Sequence, residues 1–205
     1  LTSLDLSNFD TSKVTNMSYM FRSCGGSVAA LDLSNFDTSE VIDMSYMFND
    51  SNFVPLNIGN WDVSEVTNMS YMFSGTVDTS EITELDISNW DVSKVANMQG
   101  MFTKSWYLTS LNLSNWDVGH ITANYNIERA FTSCKVLEDF YPPKNINASL
   151  SFSSSHALSH DSLMRIINNL KETTSTKTLT LESANLAKLT DEEKAIATGK
   201  GWTLK

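Results

Sequence analysis

Two histidines in the last third of the chain come closest to a metal-binding pattern. His156 and His160 are four residues apart, and Asp161 follows directly. Imidazole and carboxylate groups are common zinc ligands, so this spacing permits a metal site. The segment is rich in serine, however, which is typical of a loop that leads into a helix cap. We therefore expect ordinary surface histidines, and we predict no metal ion and no other cofactor.

Either of the two cysteines could act as a nucleophile if a base lay beside it. Cys24 and Cys134 each follow the last phenylalanine of a repeated unit, about four units apart. Units stacked at ~4.8 Å place them on the order of 20 Å apart, whereas a disulfide needs Cα atoms within about 7 Å. We predict two free, structural cysteines. No nucleophile–base pair, carboxylate pair or phosphate loop stands out, so we predict that the protein is not an enzyme.

Composition limits the partners that the chain can have. It contains 205 residues with a formal net charge of -10, which disfavours nucleic acid because phosphate binding needs clustered lysine and arginine. It has no run of eighteen apolar residues, so we expect no membrane insertion. The first residues already lie within a repeated motif, so we expect a piece of a longer protein, and we expect a monomer.

The dominant feature is an internal repeat. The string "LDLSNFDTSKVTNMSYMF" at 4–21 returns at 31–48 as "LDLSNFDTSEVIDMSYMF". Copies open at Leu4, Leu31, Leu56, Leu85, Leu111 and, more loosely, Leu137, in steps of 27, 25, 29, 26 and 26 residues. Repeats of this length are typical of stacked repeat architectures, in which each copy covers the apolar face of the one before it.

Each part of the repeat predicts a local structure. "LxL" alternates apolar and polar residues, which predicts a strand. The Asn–aromatic–Asp segment predicts a turn, because Asn and Asp side chains bond nearby backbone. In "VTNMSYMF", apolar residues at Val14, Met17, Met20 and Phe21 predict one or two turns of α or 3-10 helix. The recurring Leu, Val, Met and Phe positions predict a continuous core.

We therefore predict an α/β repeat solenoid, a leucine-rich-repeat-like right-handed coil with a parallel sheet on the concave side and short helical or 3-10 segments on the convex side. Residues 1–131 would hold five repeats. Residues 132–205 would form atypical, more helical repeats that cap the same solenoid. In that tail we predict strands at 150–152, 177–183 and 201–205, an amphipathic helix at 159–172, and a helix at 190–201 with a Thr190–Glu193 capping box.

The pattern "LxxLDLSNFDTSKVTNMSYMF" resembles the BspA-like class of leucine-rich repeats in bacterial surface proteins. The resemblance covers residues 1 to about 131 and several fixed positions in five copies. It implies a secreted, cell-surface location and adhesion to host or bacterial ligands. An aromatic residue stands where the usual buried Asn is expected, and each Asn lies one place earlier.

The repeat also predicts a binding surface on the concave face. Small polar residues fill the positions beside the inward-facing "LxL" residues: Asp5, Ser7, Asp32, Ser34, Asn57, Asp86, Ser88, Asn112 and Ser114. They could bind an extended extracellular protein or glycan together with the edge loops, or hold calcium between stacked carboxylates. Alternatively, small polar residues simply suit the solvent side of a sheet. We expect a non-enzymatic binding and adhesion module, or else a structural stalk or spacer with no ligand of its own.

Overall fold

The computed structural model describes residues 4–24, 31–51, 56–75 and 84–205; residues 1–3 of the predicted first repeat lie outside these ranges. Regular secondary structure in the described residues is concentrated after residue 83. The strands are β1 (Glu84–Leu85), β2 (Ser110–Asn112), β3 (Asp139–Tyr141), β4 (Leu150–Ser151), β5 (Lys177–Thr180) and β6 (Trp202–Leu204). The α-helices are α1 (His160–Asn169), α2 (Ser183–Leu186) and α3 (Asp191–Gly199), and Asn124–Asn126 form a 3-10 helix.

The strands form two parallel sheets. One has the order β1-β2-β3, with Leu85 opposite Leu111 and Leu111 opposite Phe140. The other has the order β4-β5-β6, with Leu150 opposite Leu179 and Leu179 opposite Leu204. Each strand contributes two to four residues, and chain segments of 20 or more residues connect consecutive strands of each sheet.

The predicted α/β repeat solenoid, with its concave parallel sheet and convex helical segments, is wrong. The described residues form a small α/β domain with two three-stranded parallel sheets and three α-helices, and they contain no repeat coil. "LxL" forms no strand in the described parts of the first three copies, because the chain turns directly after it. Phe9 N–H, for example, already donates to the carbonyl of Leu6 at 3.0 Å.

The predicted helical turn in "VTNMSYMF" is also wrong. Tyr19, Tyr46 and Tyr71 at its centre have φ of 61, 58 and 56°, a left-handed conformation that interrupts both helix and strand. Alternate N–H groups donate instead to the next copy: Tyr19 to Ser45 at 3.0 Å and Phe21 to Met47 at 2.9 Å. Neighbouring copies therefore meet in parallel register through an irregular segment.

The predicted core is confirmed. Met17, Met44, Met69 and Met98 are all at most 3% exposed, so packing accounts for their recurrence. The phenylalanines that end the copies form one stack with Phe152 of the tail, and neighbouring ring centroids are 5.4–5.8 Å apart: Phe21, Phe48, Phe73, Phe102, Phe131 and Phe152. Each buried side chain of this size contributes roughly 1.5–3 kcal/mol.

The helices and strands predicted for residues 150–205 are confirmed. Helix α1 lies within the predicted 159–172, begins at the Ser159 cap, and buries Leu163, Ile166 and Ile167. Helix α3 begins with the predicted capping box between Thr190 and Glu193. Strands β4, β5 and β6 lie within the three predicted strand segments. In the described part of the chain, none of the helices combines the length and the apolarity that a membrane crossing requires.

Candidate functional site

The predicted site residues lie on the surface, where they fix the turn that follows "LxL". The N–H of Ser7, Ser34, Ser88 and Ser114 donates at 2.9–3.2 Å to Oδ1 of Asp5, Asp32, Asp86 and Asn112, respectively. We call these residues, with Asn57 and Gly59 of the third copy, the first turn row. Asn57 is exposed as well. The concave sheet on which this site was predicted is missing from the described first copies.

Neighbouring members of the first turn row approach each other. Asp86 and Asn112 directly follow the paired residues Leu85 and Leu111. In the third copy, a Cβ on Gly59 would lie 2.8 Å from the carbonyl oxygen of Asp86, which is closer than a side chain tolerates. The glycine that interrupts the serine pattern is therefore explained by close packing of adjacent copies.

Two further rows were missed by the sequence analysis. In the second turn row, the aspartates accept an N–H from the residue two positions on, at 2.9–3.0 Å: Asp10, Asp37, Asp62, Asp91 and Asp117. The third turn row does the same at 2.8–3.1 Å with Asn16, Asp43, Asn68 and Asn97. The signal was present in the sequence, because Asp or Asn followed two places later by Ser recurs at the turn positions three times in each of the first two copies and twice in each of the next two.

These turn hydrogen bonds stabilise the ionised carboxylates. The hydroxyl and N–H of Ser7 lower the pKa of Asp5 below its ordinary value of 3.8. The pKa of Asp32 is lowered by the N–H and then the hydroxyl of Ser34, and the pKa of Asp62 is lowered chiefly by Ser64. Donors to a carboxylate favour its charged form. In each of these turns the N–H bonds the Oδ1 atom of the aspartate.

The aromatic–Asn pair of the repeat bonds the preceding copy. Asn35 Nδ2 donates to the carbonyls of Leu6 at 3.0 Å and Phe9 at 3.1 Å. Further along, the indole N–H of Trp90 donates to Ile58 at 3.1 Å, and that of Trp116 to Ile87 at 3.0 Å. Either an Asn or a tryptophan side chain can therefore donate a hydrogen bond from one copy to the backbone of the preceding copy.

His160 and Cys134 contact neighbouring elements of the fold, whereas Cys24 is exposed. His160 Nε2 lies 2.9 Å from Glu193 Oε1 and so connects α1 to α3. Within the described ranges, no three His, Cys, Asp or Glu side chains cluster in a way that could hold a metal ion.

Both cysteines are free, as predicted. Burial raises the pKa of Cys134 to about 12, and its thiol donates to the Phe102 carbonyl, so it is a poor nucleophile at neutral pH.

Residues 2–83, 26–142 and 78–161 each match the family described as "Mycoplasma protein of unknown function, DUF285". These overlapping matches together span more than half of the chain. The chain belongs to this family. DUF285 is a repeat family of bacterial origin that is related to BspA-like surface repeats. No curated protein and no solved structure matches the chain.

Proposed function

We propose that this DUF285 chain is a non-enzymatic binding module that recognises an extended protein or glycan through the first turn row and the loops beside it. The observation that carries the proposal is the fixed geometry of that row. Each bonded carboxylate or amide is oriented by its own turn, through an N–H that donates to its Oδ1 atom. Acceptors held in place before binding lose little conformational entropy when a ligand arrives.

A shallow cavity supports the involvement of the edge loops. It has a volume of about 360 Å³ and lies between the fourth and fifth copies. Ser88 of the first turn row lines it together with Asp91 and Asp117 of the second. The cavity therefore brings the two rows together at one place on the surface, where a ligand could contact both.

The finer parts of the proposal rest on the resemblance of the repeat to the BspA-like class. We place the protein at the bacterial cell surface, outside the cell, as a monomer that engages host or bacterial ligands and has no nucleic-acid partner. The net charge of -10 supports the exclusion of nucleic acid.

A stalk or spacer is the second candidate. The hydrogen bonds of the turn rows also favour this candidate, because an Asp that stabilises a turn has a structural reason to recur in every copy. In that case the polar rows serve folding and solubility, and the surface has no ligand of its own.

The test is solid-phase binding of the chain to a panel of extracellular-matrix proteins and glycans at low and physiological salt. A saturable interaction that persists at physiological salt is expected. The informative variant is Asp32→Asn/Asp86→Asn, because Asn112 shows that an amide oxygen supports the same turn. We expect this variant to keep its melting temperature and to bind at least tenfold more weakly.

The matched control is Asp37→Asn/Asp62→Asn, which makes the same charge change in the second turn row at positions that do not line the cavity. It is expected to bind within about twofold of the unsubstituted chain, since a twofold change is well below 1 kcal/mol. Equal losses in both variants would indicate general electrostatic attraction, and absence of any saturable binding would favour the spacer.

A further inference from the structure

A row of stacked tyrosines on the surface ends at a glycine. Tyr19, Tyr46 and Tyr71 occupy the same place in the first three copies, and their ring centroids are 4.7 and 4.9 Å apart. The fourth copy has Gly100 at this place with the same left-handed backbone, φ 60°. A Cβ on Gly100 would lie 2.4 Å from a carbon of the Tyr71 ring, so the ring leans into the space that a fourth side chain would fill.

A cavity of about 540 Å³ lies beside the last tyrosine of this row. Tyr71 and Arg129 form part of its wall. Arg129 lies two residues before Phe131, so it occupies in the fifth copy the place that tyrosine occupies in the first three. Lys104 and Glu128 also line the cavity. The rest of the lining is largely hydroxyl groups, from Ser74, Thr103, Thr132, Ser133, Ser151 and Ser153. This volume lies in the range of cavities that hold small molecules.

The charges in the cavity are unusual for this chain. Although the protein has a net charge of -10, two cations share the cavity with one carboxylate. Within the described residues, the side chains of Lys104 and Arg129 make no ion pair or hydrogen bond, although both residues are exposed.

We propose that this cavity binds a carboxylated sugar unit. A carboxylate complements the Arg129 guanidinium, which can bond both of its oxygens, and the Lys104 ammonium. Sugar hydroxyls complement the Ser and Thr hydroxyls and the Glu128 carboxylate, which both accept hydrogen bonds. The apolar C–H face of the sugar ring can pack against Tyr71. The inference deepens the proposed binding function and rests on it, but it uses a different surface from the first turn row.

The test is titration of the chain with sodium D-glucuronate, followed by calorimetry or by NMR. Saturable binding with a Kd on the order of 1 mM is expected for one sugar unit. D-glucose, which lacks the carboxylate, and sodium acetate, which lacks the ring, should each bind at least tenfold more weakly. Lys104→Gln/Arg129→Gln should lose at least tenfold in affinity for glucuronate.

A charge-matched control is Lys13→Gln/Lys94→Gln, which removes two cations at exposed positions outside the cavity. It should bind glucuronate like the unsubstituted chain. The inference is overturned if glucuronate does not bind, if acetate or glucose binds equally well, or if the cavity variant binds as tightly as the control. Asp32→Asn/Asp86→Asn distinguishes this result from the proposed function, because it should keep glucuronate binding while it loses the ligand of the first turn row.

Discussion

At the scale of single residues, the repeated aspartates act first on their own backbone. Asp62 accepts the Ser64 N–H at 2.9 Å, and Asn68 accepts the equivalent bond of Ser70 at 3.1 Å. An amide can therefore replace the carboxylate, whereas alanine cannot. We expect Asp62→Asn to leave the free energy of unfolding nearly unchanged at pH 7, and Asp62→Ala to lower it by about 1 kcal/mol. Urea unfolding measures both, and equal losses would show that the charge rather than the turn bond matters.

The lowered pKa values of the second turn row predict acid sensitivity. Hydrogen bonds from the following serine lower the pKa of Asp37, Asp62 and Asp91 below 3.8. A carboxyl whose pKa is lower in the folded state stabilises the fold fully above its ordinary pKa, and this stabilisation is lost as the pH falls through the folded-state pKa. We expect the melting temperature to fall between roughly pH 4 and pH 2.

The triple variant Asp37→Asn/Asp62→Asn/Asp91→Asn tests the origin of that loss. It keeps acceptors for the turns but has no titrating carboxyl at these positions, so its melting temperature should depend less steeply on pH in the acid range. Scanning calorimetry at several pH values measures the difference. The same slope in both proteins would assign the acid loss to other groups.

The residue-level predictions succeeded where a pattern had one physical meaning. The recurring Met positions were expected in the core and are there, since an unbranched apolar side chain at a fixed place has little other use. The polar positions were ambiguous, because Asp5 and Ser7 fit a binding surface and a turn equally well. The cavity beside Tyr71 could not be predicted, because its lining residues come from segments that the sequence pattern does not place together.

At the scale of elements, one tryptophan position differs between copies in its hydrogen bonding. Trp90 and Trp116 donate to the preceding copy, whereas the buried Trp61 Nε1 has no hydrogen-bond partner in the described residues. Phe36 occupies the same place in the second copy. Replacing each tryptophan by phenylalanine removes similar volume, but the Trp90 variant also loses the indole hydrogen bond to the Ile58 carbonyl, which then keeps only the Trp61 N–H as a donor.

We therefore expect Trp90→Phe to cost about 1–2 kcal/mol more in unfolding free energy than Trp61→Phe. Denaturant unfolding followed by circular dichroism measures the difference without depending on the removed fluorophore. Equal costs for the two variants would mean that the indole hydrogen bond contributes nothing and that packing alone decides.

The secondary structure of the repeats was predicted wrongly and that of helix α3 correctly, and both outcomes have a physical reason. The apolar spacing of "VTNMSYMF" suits a helix, but the left-handed tyrosine at its centre has no sequence signal, since tyrosine rarely adopts positive φ. Helix α3 was predictable because its start is set locally by Thr190 and Glu193. In the described parts of the first three copies, "LxL" alternates as a strand does, yet it forms no strand because the chain turns directly after it.

At the scale of the whole molecule, the phenylalanine stack passes from the repeats into the tail. Phe131, 2% exposed, lies 5.7 Å from Phe102 and 5.4 Å from Phe152 between ring centroids. Its N-terminal neighbour belongs to the repeats, and Phe152 follows strand β4 of the second sheet. The boundary predicted at 131/132 therefore falls inside a continuous core, and we expect both parts to unfold together.

Two spectroscopic probes can test this expectation, because they report on different parts of the chain. Four of the five tryptophans lie between residues 61 and 116, whereas the three described α-helices lie between 160 and 199. Fluorescence and far-ultraviolet circular dichroism should therefore give coincident urea transitions in a two-state protein. Phe131→Ala should lower the unfolding free energy by about 3–5 kcal/mol, and both probes should shift by the same amount. A shift confined to the helical signal would instead mean that the tail unfolds independently and that the stack does not couple it to the repeats.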